Sequence, residues 1–491
     1  MSSEAAVDVV ALLRDKRISN LSGLTMDSRQ VKPGDIFVAV SGIESHGLEY
    51  LSTAISAGAS AVLWEDDAEW SVDRVEFLAQ SKSIPFICVP DLSRFLGELA
   101  HQFFNQPSRD LIMVGITGTN GKTSCTQCIA HAISQTQACG MIGTLGVGMY
   151  PEPDRATMTT PDPISVHRAI SSMLAKRAAA VVMEVSSHAL DQNRVQSVDF
   201  DIAVLTNISR DHLDYHGDMA HYIAAKKRLF QVASLSTVVV NLDDPEAEGF
   251  VQEAGDNVKV ISFGLKPNTA SHHINIDDVQ LTESGIEFAV HSAWGDASIV
   301  CALFGEFNIM NIVASLAVLL AMDLPFNDAV SRLQTCPTVA GRLELITASQ
   351  KPKVFVDYAH TPDALMQSLT TLRAHFSQKI WCVFGCGGDR DQGKRPLMGG
   401  IAEQYADQVV LTDDNPRHES SSDIIDQIQS GISPDSTVTI MPNRAEAIAW
   451  VIESADNNDV VLVAGKGHED YQIVGDQVNP FSDRDVVRKA L

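Results

Sequence analysis

The sequence predicts an α/β protein with three domains, and three observations support this fold class. First, 491 residues correspond to about three domains of roughly 150 residues each. Second, from Leu111 onward, apolar runs of strand length alternate with helical segments, which is typical of parallel sheets covered by helices on both faces. Third, a second series of alternating strand-like and helical segments begins after CPTVAGRLE. We therefore expect domains at 1–105, 106–338 and 339–491.

The first hundred residues contain short elements of mixed type. DIFVAV at 35–40 has the composition of a strand, and a helix of small residues is expected around 51–60. AVLW and PFICVP are two further strand-like segments. These short runs predict a small mixed α/β domain.

The central third begins with LIMVGIT, a continuously apolar strand that leads into a glycine turn and a helix from Lys122. Further apolar runs of this kind follow at 178–187, 200–209 and 236–244. Residues 270–300 are more polar and alternate, which predicts a small antiparallel patch, and 307–322 is a strongly apolar helix. The central domain is therefore expected to contain a buried parallel sheet.

The last third has four strand-like segments, KVFVDYA, KIWCVFGC, DQVVLTDD and DVVLVAGKG. Helices are expected between them, one from Pro362 and another near Ala445. Strands that alternate with helices in this way predict a second doubly wound sheet.

The chain is strongly acidic, with 36 Lys and Arg against 62 Asp and Glu, a net charge of −26. This excess argues against nucleic acid or an anionic membrane as the main partner, because both need a basic face. The start, MSSEAAVDVVALLRDK, has acidic residues where a secretory signal is basic. We also find no apolar run of about 18 residues. We therefore expect a cytoplasmic protein.

Two cysteine pairs, Cys125 with Cys128 and Cys382 with Cys386, have spacings that could indicate zinc or redox chemistry. The first pair falls on a predicted helix, and Cys386 ends a predicted strand. These positions favour the interpretation that the cysteines pack in the core rather than bind zinc or take part in redox chemistry.

A glycine loop, Gly115-Ile-Thr-Gly-Thr-Asn-Gly-Lys-Thr123, lies between a predicted strand and a predicted helix. In this setting backbone N–H groups and a helix N-terminus bind phosphates. Lys122 would reach the β- and γ-phosphates, and the Thr123 hydroxyl would bind Mg²⁺. The spacing departs from the general rule, since Ile116 occupies the first glycine position. Glu184, at the end of a buried strand, is a second candidate ligand for Mg²⁺.

This loop and six further motifs resemble the Mur ligase family, and the resemblance covers essentially the whole chain. The motifs are MEVSSHAL (183–190), TNISRDHLDYHGDMAHYIAAK (206–226), DYAHTPDAL (357–365), FGCGGDRDQGKRPLMG (384–399), TDDNPR (412–417) and AGKGHEDYQ (464–472). The resemblance implies an N-terminal domain that binds a UDP-sugar, a central ATP-binding domain like that of P-loop ATPases, and a C-terminal Rossmann-like domain that binds an amino acid.

The resemblance also implies a reaction. An ATP-dependent ligase of this kind adds meso-2,6-diaminopimelate to the D-glutamate of UDP-N-acetylmuramoyl-L-alanyl-D-glutamate, in cytoplasmic synthesis of peptidoglycan precursors. Amide formation is uphill in water, so the carboxylate is first activated as an acyl phosphate, and ADP and phosphate are released. Phosphoryl transfer needs positioning and charge neutralisation, which a lysine, a helix N-terminus and one or two Mg²⁺ ions supply.

Catalytic roles are implied for Lys122, His212 and Lys226. The resemblance implies that CO₂ carbamylates Lys226, and that the carbamate and His212 bind Mg²⁺ together with Thr123 and Glu184. Carbamylation needs a neutral amine, so the pKa of Lys226 must be lowered. The ATP-binding residues implied are Gly118, Thr119, Asn120, Gly121, Lys122, Thr123 and Ser124 in the loop, Asn308 at the adenine, and Arg342 and Asp357 at the γ-phosphate and ribose.

Two further sets of residues are implied for the other substrates. The UDP-sugar peptide would be bound by Met26, Ser28, Ile43, Glu44, Ser45, Met158, Thr159, Thr160, Ser186, Gln192 and Arg194. Diaminopimelate would be bound by Arg390, Asp414, Asn415, Pro416, Arg417, Gly465 and Glu469. Arg417 can pair bidentately with the second carboxylate of diaminopimelate, a group that lysine lacks.

Four alternatives remain open at this point. The same ligase chemistry could add L-lysine, although Arg417 argues against it. A folate-glutamylating ligase fits TDDNPR and GKGHEDYQ poorly. A P-loop ATPase or switch protein leaves the charged residues of the last domain without a role. A nucleotide-binding protein without catalysis is disfavoured because Lys122, Thr123, Glu184 and His212 are all present. We expect a monomer with small-molecule substrates and no nucleic-acid or membrane partner.

Overall fold

The computed structural model describes residues 21–42, 45–156 and 158–491. Ile43 and Glu44, both expected at the UDP-sugar site, lie outside the described residues. The described chain divides into two compact units. One contains the residues up to Ile274 together with Val313–Ala329, and the other contains Asn275–Ile312 and Val330–Leu491.

The first unit begins with a four-stranded sheet in which every neighbouring pair of strands is parallel. Its strands, in spatial order, are β1 (Gly23–Thr25), β2 (Asp35–Ala39), β3 (Ala61–Trp64) and β4 (Phe86–Cys88). The helices of this segment are α1 (Leu51–Ser56), α2 (Val72–Ala79) and α3 (Leu96–Phe103). Ile36 and Val38 pack into one core cluster and Phe37 and Ala39 into another. Residues 36–39 of β2 are therefore all apolar, because both faces of this strand are buried.

A second sheet of the first unit carries the glycine loop. Its strands are β5 (Ile112–Thr117), β6 (Cys139–Gly143), β7 (Gly146–Met149), β8 (Ala180–Glu184), β9 (Ile202–Leu205), β10 (Thr237–Asn241) and β11 (Lys259–Gly264). They lie in the order β11-β10-β9-β5-β8-β6-β7. All pairs are parallel except β6 with the edge strand β7.

Six α-helices lie between β5 and β11 in the described part of the chain. They are α4 (Lys122–Ser134), α5 (Pro163–Ala175), α6 (Ser187–Asp191), α7 (Leu213–His216), α8 (Met219–Lys227) and α9 (Ala247–Val251). Three of them, α5, α6 and α8, have a capping side chain at their start. Pro163 occupies the first turn of α5, where its missing N–H costs nothing, and Asp162 caps the helix. Asp218 accepts a hydrogen bond from His221 N and caps α8. This cap sets the start of the helix that carries Lys226.

The second unit contains an antiparallel set of β12 (His273–Thr282), β13 (Gly285–Ser292) and β14 (Gly295–Cys301). Its larger sheet has the order β15-β16-β20-β17-β18-β19, and only β15 runs antiparallel to its neighbour. Those strands are β15 (Glu344–Ile346), β16 (Lys353–Asp357), β17 (Ile380–Phe384), β18 (Gln408–Leu411), β19 (Val438–Ile440) and β20 (Val460–Ala464). A hairpin of β21 (Tyr471–Val474) and β22 (Gln477–Pro480) follows.

The remaining helices complete the chain. They are α10 (Phe307–Ala321), α11 (Phe326–Gln334), α12 (Pro362–His375), α13 (Lys394–Tyr405), α14 (Ser421–Gln429), α15 (Arg444–Ser454) and α16 (Asp483–Ala490). Short 3₁₀ turns lie at Gly47–Tyr50, Leu92–Phe95, Pro107–Asp110 and Arg228–Gln231. In the part of the chain that the structure describes, we find no helix of the length and apolarity that crossing a membrane requires.

The predicted α/β class is confirmed, with sheets dominated by parallel strands. The antiparallel patch and the long apolar helix are also found where expected, at β12–β14 and α10. The four cysteines of the two spaced pairs are buried in the core. The helix expected at 51–60 is shorter, since α1 ends at Ser56. Strands β15 and β19 were not predicted, because each has only three residues.

Candidate active site

The glycine loop connects the carboxyl end of β5 to the start of α4. Gly118 and Gly121 have φ angles of +142° and +85°, a region that suits glycine. A Cβ atom on Gly118 would lie 1.9 Å from Thr206 Oγ1. Thr206 and Asn207 follow the neighbouring strand β9, and the N–H of Thr119 donates to the Asn207 carbonyl at 2.8 Å. The loop is therefore fixed by the strand beside it.

Thr123 and Glu184 meet at the start of α4. Thr123 Oγ1 donates to Glu184 Oε2 at 2.8 Å, and Thr144 N donates to Glu184 Oε1 at 2.8 Å. Only 1% of Glu184 is exposed. Burial raises the pKa of Glu184 above its ordinary value, while the hydrogen bonds from Thr144 and Thr123 and the charge of Lys122 oppose the rise. Two of the four residues predicted to bind Mg²⁺ are thus in direct contact.

Lys122 and Lys226 both reach the glycine loop from different helices. Lys122 Nζ donates to the carbonyls of Gly118 and Thr119, each at 2.8 Å, and Lys226 Nζ donates to the same Gly118 carbonyl at 2.8 Å. Lys226 is 1% exposed. Burial, reinforced by the charge of Lys122 and opposed by Asp211, holds the pKa of Lys226 well below its usual value. The site therefore favours the neutral amine of Lys226.

His212 lies at the N-terminal end of α7 with a φ angle of +52°. Its ring centroid is 4.7 Å from that of His188 and 6.4 Å from that of Tyr222. The Tyr222 hydroxyl is within 2.9 Å of Thr119 Oγ1, and its ring faces Lys226 Nζ at 4.7 Å. His212 is thus linked to the glycine loop through Tyr222.

The residues expected around the UDP-sugar peptide in the central segment cluster beside β8. Thr160 Oγ1 donates to the Glu184 carbonyl at 2.8 Å, and the Arg194 guanidinium donates to the Thr160 carbonyl at 3.0 Å. Arg194 also contacts Gln192 Oε1 at 2.9 Å, and its side chain reaches Met158 Sδ at 3.4 Å. The remaining members, Thr159 and Ser186, bond to Thr144 and Thr160.

The described N-terminal members of that set, Met26, Ser28 and Ser45, lie in loops of the first sheet. Met26 packs against the core of this sheet, Ser28 is buried, and Ser45 Oγ lies 3.3 Å from the Tyr50 hydroxyl. A hydrogen bond of 3.1 Å from Arg168 on α5 to Gln30 links this segment to the central one.

In the second unit, Arg342 and Asp357 lie close to each other. Asp357 ends β16 and accepts hydrogen bonds from Leu343 N at 2.9 Å and from Ser368 Oγ at 2.7 Å. The Arg342 guanidinium lies over the Tyr358 ring at 4.9 Å. Asn308 is buried in the first turn of α10, where its Nδ2 donates to the Phe304 carbonyl at 2.8 Å.

The residues predicted to bind the amino acid lie in three loops after β17, β18 and β20. Arg417 NH1 donates to the Gly388 carbonyl at 2.7 Å, which joins the first two loops. Asn415 Nδ2 donates to Glu469 Oε2 at 3.1 Å, which joins the second and third. A Cβ on Gly465 would lie 2.5 Å from Asp414 Oδ2. Pro416 is buried beside Arg417, and Arg390 is exposed on the first loop. The strand ends therefore bring this set together.

Comparison with known proteins identifies the family. Three Mur ligase descriptions match the chain: "Mur ligase family, catalytic domain" at 20–104, "Mur ligase middle domain" at 116–319, and "Mur ligase, glutamate ligase domain" at 341–467. A curated UDP-N-acetylmuramoyl-L-alanyl-D-glutamate–2,6-diaminopimelate ligase from Coxiella burnetii is 44% identical over 475 residues, 96% of each chain. The chain belongs to the Mur ligase family.

Further Mur ligases are similar to this chain. The diaminopimelate ligase of Pseudomonas aeruginosa is 43% identical over 95% of this chain and 94% of its own. A solved structure with the same ligase name superposes with a TM-score of 0.69 at 35% identity, covering 95% of this chain and 94% of the other. A MurF ligase from Thermotoga maritima in complex with ADP shares the fold, with a TM-score of 0.64 at 19% identity, covering 90% and 94%.

Several residues of this Mur ligase that shape the site were not predicted. Thr144 supports Glu184, and His188 packs against His212. Arg395 donates to both carboxylate oxygens of Glu419 at 2.8 and 2.9 Å, and so joins the loops after β17 and β18. Lys466 is fully buried among the residues expected to bind the amino acid. A lysine directly after an apolar strand and between two glycines was the available signal for Lys466.

Proposed function

We propose that this Mur ligase joins meso-diaminopimelate to UDP-N-acetylmuramoyl-L-alanyl-D-glutamate at the expense of ATP. The curated relatives from Coxiella burnetii and Pseudomonas aeruginosa are named for this ligation. Amide formation through an acyl phosphate requires a phosphate-binding loop for ATP and a separate site for the incoming amino acid. The chain has candidates for both.

The observation that carries the proposal is the pairing of arginines in the second unit. Five of them have a carboxylate oxygen within 3.3 Å: Arg373, Arg395, Arg444, Arg484 and Arg488. Arg342, Arg390 and Arg417 form no ion pair with a carboxylate among the described residues, although the chain has a net charge of −26. Of these three, only Arg390 and Arg417 lie in the loops after β17 and β18. Guanidinium groups bind carboxylates bidentately. Meso-diaminopimelate has two carboxylates and lysine has one, so two arginines match diaminopimelate.

The reaction proceeds in two steps. An oxygen of the D-glutamate carboxylate attacks the γ-phosphorus of ATP, and the bond to ADP breaks. The neutral amine of diaminopimelate then attacks the acyl carbon, phosphate leaves with the bonding electrons, and the nitrogen gives up one proton, which the departing phosphate takes. Residues 118–124 bind the phosphates through backbone N–H groups and the start of α4. We infer that Lys122 exchanges its two loop carbonyls for phosphate oxygens, while Asn308, Arg342 and Asp357 bind the rest of the nucleotide.

The residues around Glu184 suit a magnesium ion. Mg²⁺ prefers oxygen ligands, and the Thr123 hydroxyl lies 2.8 Å from the buried Glu184 carboxylate. His212 and Lys226 would complete the set for two ions, Lys226 after reaction of its amine with CO₂. The lowered pKa of Lys226 favours that reaction, because only a neutral amine attacks CO₂. When bound, Mg²⁺ neutralises charge on the transferred phosphoryl group.

We assign the remaining substrate to the first unit. The cluster beside β8, with Met26, Ser28, Ile43, Glu44 and Ser45, would bind the UDP-sugar peptide. The corresponding domains are 1–105 for the UDP-sugar, 106–338 for ATP and 339–491 for the amino acid. We propose a cytoplasmic monomer whose partners are small molecules, with no nucleic-acid or membrane partner, because the net charge of −26 opposes both polyanions.

The purified protein tests this proposal directly. It is mixed with ATP, Mg²⁺, UDP-N-acetylmuramoyl-L-alanyl-D-glutamate and either meso-diaminopimelate or L-lysine, and phosphate release and product mass are followed. We expect phosphate release only with the complete mixture, and an adduct mass only with diaminopimelate. Phosphate release without the UDP-sugar peptide would indicate an ATPase, and an equal rate with lysine would refute the substrate assignment.

A further inference from the structure

Lys466 is a buried lysine in the loop that follows β20. Its side chain has no exposed surface. Its Nζ donates to Asn415 Oδ1 at 2.9 Å and to Glu469 Oε2 at 3.2 Å, and it lies 4.0 Å from Asp414 Oδ1. These three neighbours all belong to the proposed amino-acid site. Lys466 therefore contacts the residues of this site from the interior of the protein.

The burial of Lys466 is stable only with this set of partners. An ammonium group removed from water costs several kcal/mol unless it is paired and hydrogen-bonded. Here Glu469 supplies a carboxylate within hydrogen-bond distance, Asp414 supplies a second one nearby, and Asn415 supplies an amide oxygen. The same contacts act in both directions, so Lys466 also fixes the positions of its partners.

The clearest effect is on the side-chain amide of Asn415. Its Oδ1 accepts from Lys466 Nζ at 2.9 Å and from Ile473 N at 3.0 Å. Because both of these groups are donors, the oxygen must face them and the Nδ2 must face away. Nδ2 then donates to Glu469 Oε2 at 3.1 Å. Lys466 and the Ile473 N–H together therefore determine which way the Asn415 amide points. Lys466 also holds Glu469 directly.

The loop backbone keeps Lys466 in this place. Gly465 and Gly467 have φ angles of +119° and +54°. A Cβ on Gly467 would lie 2.7 Å from Tyr358 Cβ, and one on Gly465 would lie 2.5 Å from Asp414 Oδ2. The glycines on both sides allow the chain to pass close to β16 and the Asp414 loop, and Lys466 points inward between them.

The charges of the site also depend on Lys466. Among the residues assigned to diaminopimelate, Asp414 and Glu469 are negative and Arg390 and Arg417 are positive, so without Lys466 the charges of these residues cancel. The neighbouring Arg444 is neutralised by its ion pair with Asp483. With Lys466 the set is positive by one charge. Meso-diaminopimelate with its reacting amine neutral has two carboxylates and one ammonium, so it is negative by one charge. Lysine in the same state has no net charge.

We propose that Lys466 is a positioning residue for the incoming amino acid. It holds Asp414, Asn415 and Glu469 in one arrangement and gives the site the charge that complements meso-diaminopimelate rather than lysine. This inference rests on the proposed function.

The test compares Lys466→Met with the wild-type protein in the ligation assay. We expect the KM for meso-diaminopimelate to rise about ten- to a hundredfold, the loss typical of partners that orient ligand-binding groups. The KM for ATP should stay within about twofold, because the Lys466 ammonium group bonds to Asn415 and Glu469 and not, among the described residues, to Asn308, Arg342 or Asp357. The preference for meso-diaminopimelate over lysine should fall by about tenfold or more.

Lys379→Met is the matched control. Lys379 is an exposed lysine just before β17, at the opposite end of the sheet from the strand-end loops, and its loss changes the net charge equally. A KM for meso-diaminopimelate within about twofold of wild type in Lys466→Met would overturn the inference. An equal rise in the KM for ATP and in the KM for diaminopimelate would also overturn the inference, because it would indicate a purely structural role.

If Lys466→Met does not fold, the same ligation assay is carried out with Lys466→Arg. Its larger guanidinium keeps the charge but displaces Asn415, so the KM for diaminopimelate should rise by about threefold or more with the KM for ATP unchanged. An unchanged value, or failure of this variant to fold as well, would refute a positioning role. Absence of diaminopimelate turnover in the wild-type protein would instead refute the proposed function.

Discussion

Arg417 shows how single residues of the proposed amino-acid site are held for a ligand. Its φ angle is +49°, a conformation that costs about 1–3 kcal/mol for a residue with a side chain. Its backbone N–H donates to the Ile473 carbonyl at 3.1 Å, and its carbonyl accepts from Gly475 N at 2.7 Å. The hairpin β21–β22 therefore enforces the strained backbone, and this backbone aims the guanidinium at the loop after β17.

We predict that Arg417→Ala lowers kcat/KM for meso-diaminopimelate by about 10²- to 10³-fold, because a buried charge pair that loses one partner costs about 2–5 kcal/mol. ATP binding, measured by isothermal titration calorimetry, should stay within about twofold. Arg373→Ala, which breaks an ion pair with Asp407 before β18, is the control. Wild-type kinetics with diaminopimelate in Arg417→Ala would contradict the assignment.

Lys226 allows a test of carbamylation. We predict that wild-type protein depleted of CO₂ loses activity and regains it with bicarbonate, because the lowered pKa of Lys226 leaves its amine free to react. Lys226→Ala should lose activity by about a hundredfold or more and should not respond to bicarbonate. The neighbouring Lys227→Ala, which breaks an ion pair with Glu253, should behave like wild type. Near-normal turnover in Lys226→Ala would rule the carbamate out.

At the scale of elements, the site depends on loops that follow parallel strands and on the helices packed behind them. The glycine loop is fixed by the end of β9, and the Arg417 loop is fixed by a hairpin and by the Arg395–Glu419 ion pair. The first sheet is joined to the central one through α3 and α5. There the His101 and His167 rings are 5.3 Å apart, and His167 Nε2 lies 2.9 Å from the Gln196 carbonyl.

The glycine loop gives one prediction at this scale. Gly118→Ala should abolish detectable ATP binding and lower the free energy of unfolding by about 1–3 kcal/mol, because the new Cβ meets Thr206 Oγ1 in a strained backbone conformation. Thermal unfolding and calorimetry with ATP measure both effects. Gly255→Ala is the control, since its Cβ would lie 3.8 Å from the nearest atom, Val258 Cγ2. Normal ATP binding by Gly118→Ala would show that the loop adapts.

The junction of α3 and α5 gives a prediction on pH. Burial lowers the pKa of His167 from 6.5 to about 4. Between these values the unfolded chain binds a proton that the folded chain does not, so stability falls as the pH decreases through this window. Below pH 6.5, the free energy of unfolding of the wild-type protein should therefore fall relative to that of His167→Gln, by up to about 1.4 kcal/mol per pH unit. Chemical unfolding at a series of pH values measures this difference.

Glutamine can still donate to the Gln196 carbonyl but does not titrate, so His167→Gln isolates the effect of the proton. The exposed His221→Gln is the matched control and should follow the wild-type pH dependence. Parallel pH profiles for wild type and His167→Gln would mean that His167 does not resist protonation in the folded state.

At the scale of the whole molecule, an acidic protein binds anionic substrates. The net charge is −26, whereas ATP and the UDP-sugar peptide are also negative. Local groups such as the glycine loop, Lys122 and Arg194 must therefore attract ligands against a repulsive field. Screening shortens the range of this field to about 10 Å at 0.1 M salt.

We predict that the association rate of the UDP-sugar peptide rises by about two- to fivefold as KCl increases from about 10 to 150 mM, because salt screens the repulsion of like charges. Stopped-flow binding measures this rate. Uncharged sucrose at matched viscosity is the control. A rate that falls with salt would show that the local basic groups dominate the encounter.

Features that depend only on neighbours in the chain could be predicted from the sequence. Apolar runs predicted β5, β8, β9 and β10, and the strand–glycine–helix order predicted the loop from Gly118 to Thr123, because these are local properties of spacing and backbone freedom. The family resemblance supplied the members of the site. The three-residue strands β15 and β19 escaped prediction, since so short a segment has no period and is a strand only through its partner.

The tertiary structure alone decided which distant side chains meet. Thr123 and Glu184 are 61 residues apart, and Lys226 reaches a carbonyl 108 residues away. Lys466 is buried where Asn415, 51 residues earlier, provides one of its acceptors beside Glu469. Whether a lysine is solvated or buried beside a carboxylate depends on the packing around it, and that packing is created when parallel strands place the loops at their carboxyl ends side by side.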